Sequence, residues 1–186
     1  MSLDLVLWQL IRSAGLLTYL LLSAAVIMGV ALKARAFDQF LKRPWVYELH
    51  NSLSVAALAT LCLHVVLVLA NAHVGFGLSD VLIPFASKWR TLPIALGVLS
   101  MYLVSLLVAS TRLRPLIGQK AWRSIHYGSF LAWVLALVHS VDAGTDSSLP
   151  WVQGIYLVTT AAVFMLVAYR ILQPLPPKES SVGVLH

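Results

Sequence analysis

Long apolar runs alternate with short polar connections along the whole chain. Five of these runs contain the roughly 20 mostly apolar residues that a membrane-crossing helix needs. They cover about Leu5–Leu32, Trp45–Ala70, Leu92–Ser110, Ala121–Val141 and Leu149–Leu172. The pattern therefore predicts an all-α integral membrane protein, a bundle of about five transmembrane helices.

Composition strengthens this prediction and excludes several classes of protein. Of the 186 residues, 60% are hydrophobic and 11% are charged, with a mean hydropathy of +0.87. A soluble domain usually has about 25% charged residues, so this chain has too little polar surface for a water-soluble globule. The single cysteine, Cys62, excludes an intrachain disulfide and a cysteine-based metal site. The net charge is +6. In a membrane protein, basic residues collect in the cytoplasmic connections, so we do not interpret this charge as a sign of nucleic-acid binding and expect no nucleic-acid partner.

Most of the basic residues fall in connections that would lie on one side of a membrane. The positive-inside rule then predicts the N-terminus outside and the C-terminus in the cytoplasm. We expect one membrane domain, residues 1–172, followed by a flexible cytoplasmic tail, residues 173–186, and an amphipathic surface segment at residues 78–89. The start, Met-Ser-Leu-Asp, lacks the basic residues of a removable signal peptide. The basic residues on the predicted inner side are Lys33, Arg35, Lys42, Arg43, Arg112, Arg114, Lys120, Arg123, Arg170 and Lys178.

Four of the six histidines lie inside predicted helices. His50 and His64 are 14 positions apart on the second helix, and His126 and His139 are 13 apart on the fourth. At about 1.5 Å per residue, each helix places one imidazole near each membrane surface. The predicted topology makes the two helices parallel, so His50 would lie level with His126 and His64 with His139. Opposed imidazoles at two depths suit the axial ligation of two stacked haems.

The two spacings give different rotations about the helix axis between the histidines of each pair. Fourteen residues return to within about 40° of the starting direction, whereas 13 leave about 140° between His126 and His139 on an ideal helix. A kink, local overwinding or ring orientation must absorb that difference. The alternative is that the four histidines only link helices by hydrogen bonds in a non-redox bundle. Four ionisable groups matched in depth favour the functional interpretation, because such groups are costly inside a bilayer.

The sequence around these histidines resembles the ferric reductase-like transmembrane family. That family includes ferric reductases, NADPH oxidases and the haem-binding subunit of a bacterial periplasmic methionine sulfoxide reductase, and its pattern has the same spacings of 14 and 13 in the same order. The local contexts are also similar: Glu-Leu-His50-Asn-Ser-Leu-Ser, Trp-Arg-Ser-Ile-His126-Tyr and His139-Ser-Val-Asp-Ala-Gly-Thr-Asp. The resemblance covers nearly the whole chain.

The resemblance implies two b-type haems and an electron-transfer function. His50 and His126 would ligate the iron of the inner haem, and His64 and His139 that of the outer haem. Electrons from a separate flavin reductase or a quinol would cross a bacterial-type plasma membrane to an outer acceptor, such as a ferric chelate, a quinone or a periplasmic reductase. Relatives often continue into a flavin and NAD(P)H domain, but this sequence ends soon after the fifth predicted helix. Val68 stands where NADPH oxidases have a further histidine, which argues against oxygen reduction.

Three more residues are candidates for contact with the haems. Arg12, inside the first helix, needs a counter-charge and would pair with a propionate of the outer haem, or else snorkel to the outer headgroups. Arg123 would reach an inner-haem propionate or act only as a positive-inside residue. Trp133, between the two histidine levels, would lie on the path between the haems or simply pack in the bundle.

Overall fold

The computed structural model describes residues 3–36, 38–72 and 75–172. Within these ranges the chain forms helices and no strand. The elements are α1 (Leu3–Ala34), α2 (Arg43–Ala70), α3 (Leu78–Leu82), α4 (Thr91–Ala143) and α5 (Pro150–Leu172). Four of them, all except α3, are long and apolar enough to cross a membrane. The all-helical, multi-pass prediction is therefore supported for the described residues, while the orientation of the termini stays a prediction. The predicted tail and the two histidines outside the predicted helices, His73 and His186, lie outside the described residues.

Helix α4 differs from the two separate helices that the sequence predicted. Its 53 residues would extend about 80 Å as one straight helix, more than twice the thickness of a bilayer core. The chain reverses at Gly118, whose φ of 80° and ψ of 161° lie outside the helical region. We call residues 91–117 α4a and residues 119–143 α4b. Side-chain contacts show that the two halves pack together, since Ser100 Oγ donates to the carbonyl of Ala132 at 2.8 Å.

The predicted third and fourth spans therefore correspond to α4a and α4b. What sequence analysis missed is that their connection is almost entirely helical. Arg, Lys, Gln and Leu are good helix formers, so both helices continue past the apolar runs until one glycine turns the chain. A positive φ of this size is unstrained only for glycine, so Gly118 can turn the chain by itself without backbone strain.

Helix α1 is the centre of the bundle and packs along α2, α5 and α4. The core consists of apolar side chains from α1 and α4 with one each from α2 and α5: Tyr19, Leu22, Val26, Val30, Ala57, Val104, Leu107, Ala132, Trp133 and Val163. Only Val46 and Ala57 of α2 are buried within the protein. The remaining apolar surface of α2 needs a bilayer as its solvent.

The contact between α2 and α4 is sparse although both pack on α1. This leaves a space between α2 and α4b that is bounded by α1. The predicted surface segment at residues 78–89 is helical only at Leu78–Leu82. That short helix is attached to α4a, because Tyr102 Oη donates to the carbonyl of Leu82 at 2.5 Å.

Candidate functional site

Both pairs of histidines come together across the space between α2 and α4b. The rings of His50 and His126 have centroids 6.0 Å apart and an interplanar angle of 74°. His64 and His139 line one cavity of about 920 Å³ at the other end of the two helices. Since His50 meets His126 and His64 shares a cavity with His139, α2 and α4b run parallel. The structure therefore places the four imidazoles at two levels of the bundle.

Three of the four imidazoles are anchored through Nδ1. A backbone carbonyl can only accept a hydrogen bond, so each of these Nδ1 atoms must be the protonated nitrogen. The other ring nitrogen, Nε2, then has a free lone pair, which is the arrangement found in most metal-binding histidines. The bonds are His50 Nδ1 to Ala25 O at 2.8 Å, His64 Nδ1 to Ile11 O at 3.0 Å, and His139 Nδ1 to Pro93 O at 2.8 Å.

Each anchored imidazole also faces a glycine, and the same geometry of carbonyl and glycine occurs at all three histidines. The carbonyl that accepts the Nδ1 proton lies four positions before the glycine, one helical turn away. A Cβ on that glycine would lie 3.1 Å or less from the ring, closer than most Cβ atoms approach a neighbour. The absence of a side chain thus lets the imidazole reach the carbonyl of the facing helix. The glycines are Gly29 for His50, Gly15 for His64 and Gly97 for His139.

Sequence analysis did not identify these glycines. Gly15 and Gly29 are 14 positions apart, the same spacing as His50 and His64, and α1 runs antiparallel to α2. That matched spacing is the sequence feature from which Gly15 and Gly29 could have been identified as facing the two histidines. Gly97 has no second glycine to match it, because no described glycine faces His126, the other histidine of α4b.

His126 differs from the other three histidines. Its Nδ1 is buried and has no hydrogen-bond partner within the described part of the chain. The ring instead stacks on Trp122, with centroids 4.9 Å apart and an interplanar angle of 25°. Trp122 is held in turn by a hydrogen bond from Nε1 to Thr111 Oγ1 at 3.3 Å, and the Arg114 guanidinium lies 4.8 Å from its ring centroid. His126 is therefore positioned by stacking rather than by a bond to a carbonyl.

Arg12 lines the cavity near His64 and His139 and has a counter-charge in the protein. It forms an ion pair with Asp146, in the connection between α4b and α5, and both side chains are 31% exposed. Its guanidinium also lies 6.0 Å from the Trp8 ring centroid. Arg12 Nε is buried without a partner among the described residues. The sequence predicted that Arg12 needs a counter-charge but did not identify the residue that supplies it, which the structure shows to be Asp146.

The other two candidate residues occupy very different positions. Arg123 is exposed and forms no ion pair with any residue that the structure describes. Trp133 is only 3% exposed and packs in the core. Its indole Nε1 donates to Ser23 Oγ of α1 at 2.9 Å. The packing role of Trp133 is thus visible in the structure, while contact with a haem stays a prediction for both residues.

The donor groups are arranged as pairs rather than as clusters. Among the described residues, no group of three or more His, Cys, Asp or Glu side chains is placed to hold a metal ion. Two imidazoles are too few for a closed four-coordinate zinc site of protein ligands, but they are the number that an iron porphyrin accepts, because the macrocycle supplies the other four nitrogens. Comparison of the chain with protein-family models, with curated proteins and with solved structures found no match.

Proposed function

We propose that this protein is a membrane cytochrome that binds two b-type haems and passes electrons across the bilayer. The observation that supports it best is the 6.0 Å separation of the His50 and His126 ring centroids. A metal–imidazole bond is about 2 Å long and the ring centre lies about 1 Å further, so two axial imidazoles on one metal have centres about 6 Å apart. The pair therefore has the spacing that a shared iron requires.

The surroundings of the second pair also fit a macrocycle. The cavity between His64 and His139 measures about 920 Å³, at the upper end of the range of about 300–1,000 Å³ for cofactor-sized pockets. Its wall contains Gly15 and Gly97, neither of which fills the space with a side chain. The wall is mostly apolar, which suits a flat apolar group. Its charged side chains are Arg12, Asp4, Asp80 and Asp146, so an acidic edge would have to lie at Arg12, the one arginine or lysine among the described lining residues.

When bound, haem supplies a one-electron iron couple whose potential depends on its ligands and their surroundings. The protein's residues would hold and tune it. The Nδ1 bonds of His50, His64 and His139 orient the rings and make Nε2 more basic, which favours the ferric state. Arg12 can offer a hydrogen bond to a propionate in addition to its ion pair with Asp146, since Arg12 Nε has no partner among the described residues.

The electron donor would be a separate flavin reductase or a quinol, and the acceptor would lie on the outer side. A ferric chelate, a quinone and a periplasmic enzyme such as a methionine sulfoxide reductase are all compatible with this arrangement. The basic residues of the turn around Gly118 are exposed, as expected of a cytoplasmic face. This orientation belongs to the proposal.

A non-redox helical bundle is the second candidate, and one observation favours it. The three Nδ1–carbonyl bonds link α2 to α1 and α4b to α4a, which structural histidines would also do. That hypothesis leaves the Nε2 atoms of the three anchored histidines without a role, whereas the edge-to-face contact of His50 and His126 also suits simple packing. It also predicts a protein that folds and functions without haem.

Haem stoichiometry distinguishes the two candidates. Purified protein should show the reduced-minus-oxidised spectrum of low-spin b-type haem with about two haems per chain, and His64→Ala or His139→Ala should reduce this to about one. Leu63→Ala is a matched control, because Leu63 neighbours His64 but is 51% exposed on the lipid-facing side. Well-folded protein that binds no haem when expressed with an adequate supply would refute the proposal.

A further inference from the structure

The two ends of the candidate site are not equivalent. At the His64–His139 end both imidazoles are anchored by a carbonyl opposite a glycine. At the other end only His50 is anchored in this way. The Nδ1 of His126 is buried and has no partner in the described ranges. The asymmetry therefore concerns one ligand out of four.

An Nδ1 bond determines how firmly an axial imidazole is held. If an anchored histidine leaves the metal, its ring remains aimed at the vacated position by the carbonyl, so rebinding is favoured. His126 has no such restraint, because stacking on Trp122 fixes the plane of the ring but allows it to slide and turn within that plane. The Nδ1 of His126 has no hydrogen-bond partner among the described residues, so turning of the ring would break no hydrogen bond at that atom.

We infer that the His50–His126 site has one fixed and one exchangeable ligand, and that a small neutral iron ligand such as carbon monoxide can replace His126 there. This inference rests on the proposed haem function. In the exchange, the bond from iron to His126 Nε2 breaks and a bond from iron to carbon forms. The iron remains ferrous, and no electron or proton is transferred.

The second site should not exchange its ligands in this way. His139 is packed so closely that a Cβ on Gly97 would lie 2.5 Å from its Nδ1, which leaves the ring little room to move on that side. His64 is similarly close to Gly15, since a Cβ on Gly15 would lie 3.0 Å from its Cε1. His126 faces no glycine among the described residues, so its ring is not packed against a backbone in this way. The site with His126 is therefore the looser of the two.

Carbon monoxide binding to the dithionite-reduced, haem-loaded full chain tests the inference. We expect the spectrum of about half of the haem to change and the other half to remain unaffected. In His139→Ala, or in His64→Ala if that variant folds better, the remaining haem belongs to the His50–His126 site and should bind carbon monoxide at the wild-type rate. Binding to both haems, to neither, or only to the His64–His139 haem would overturn the inference.

Trp122→Leu provides a second measurement on the same site. Loss of the stacking partner should raise the rate of carbon monoxide binding several-fold, measured per haem bound at the His50–His126 site. Trp151→Leu is the control, because Trp151 is 57% exposed on α5 and lines neither histidine pair. An unchanged rate in Trp122→Leu would show that stacking does not hold His126. Preparations without haem would instead refute the proposed function, which separates that outcome from failure of this inference.

Discussion

Replacing Gly97 by alanine would place a methyl group against the imidazole of His139. The new Cβ would lie 2.5 Å from Nδ1, 2.7 Å from Cε1 and 2.9 Å from Cγ. Ordinary van der Waals contact is near 3.5 Å, so the ring would have to move by about 1 Å. The hydrogen bond from His139 Nδ1 to the carbonyl of Pro93, now 2.8 Å long, would then exceed hydrogen-bonding distance.

The expected loss of stability combines two unfavourable terms and one favourable term. Overpacking costs about 1–3 kcal/mol, and the lost hydrogen bond costs about 0.5–1.5 kcal/mol. Alanine improves helix propensity by about 1 kcal/mol relative to glycine. The net destabilisation should therefore be about 0.5–3.5 kcal/mol. If the proposed function holds, haem should be lost from the His64–His139 site first.

Thermal unfolding of the purified protein in detergent, followed together with haem absorbance, measures both effects. Gly128→Ala is the matched control on the same long helix, because a Cβ at Gly128 would have no atom within 4 Å. That variant should be as stable as the wild type or slightly more stable. If Gly97→Ala were as stable as Gly128→Ala and retained full haem content, the idea that Gly97 seats His139 would be wrong.

Three further substitutions test other contacts of the bundle. Asp146→Asn removes the counter-charge of Arg12 and should destabilise the fold by about 1 kcal/mol or less, since both side chains are partly exposed, with the loss read from thermal unfolding at low and high salt. Ser23→Ala leaves the buried indole N–H of Trp133 unpaired and should cost about 1–3 kcal/mol in thermal or denaturant unfolding. Gly118→Ala forces a non-glycine residue to a φ of 80° and should cost about 1–3 kcal/mol, seen as a lower midpoint of thermal unfolding.

Each of these predictions has its own control. Asp142→Asn changes an exposed acid that forms no ion pair within the described residues and should leave the midpoint unchanged. Ser54→Ala removes only a local bond to the carbonyl one turn earlier and should change stability by less than about 0.5 kcal/mol. Gly154→Ala adds a methyl group to open space in α5 and should not destabilise the protein. A test variant that matched its control would show that the contact contributes little.

Local pattern in the sequence was enough to predict the membrane-crossing helices. Apolar runs of sufficient length and the scarcity of charge follow from the solvent that a bilayer provides, and they are properties of contiguous residues. The depth of each histidine also follows from its position in a run, because every helical residue advances by the same rise. The pairing of His50 with His126 could therefore be predicted once the two helices were taken as parallel. The helical continuation through the turn at Gly118 was missed, because its residues are charged yet also favour helix.

The rotation of the helices about their own axes could not be predicted in the same way. Sequence geometry left about 140° between His126 and His139, and in the structure these two rings have different surroundings. His139 reaches the carbonyl of Pro93, whereas His126 stacks on Trp122. Which backbone carbonyl or ring a histidine meets depends on how the neighbouring helices are turned.

The sequence by itself determined that the protein is all-helical with helices of membrane-spanning length, how many apolar segments it has, and the levels at which the imidazoles lie. Only the tertiary structure decided that glycines of α1 and α4a face three of those imidazoles, that Asp146 is the counter-charge of Arg12, and that His126 is held differently. The physical reason is that the first group of properties depends on neighbours along the chain. The second depends on side-chain packing between segments up to 134 residues apart, which is settled only when all the helices pack at once.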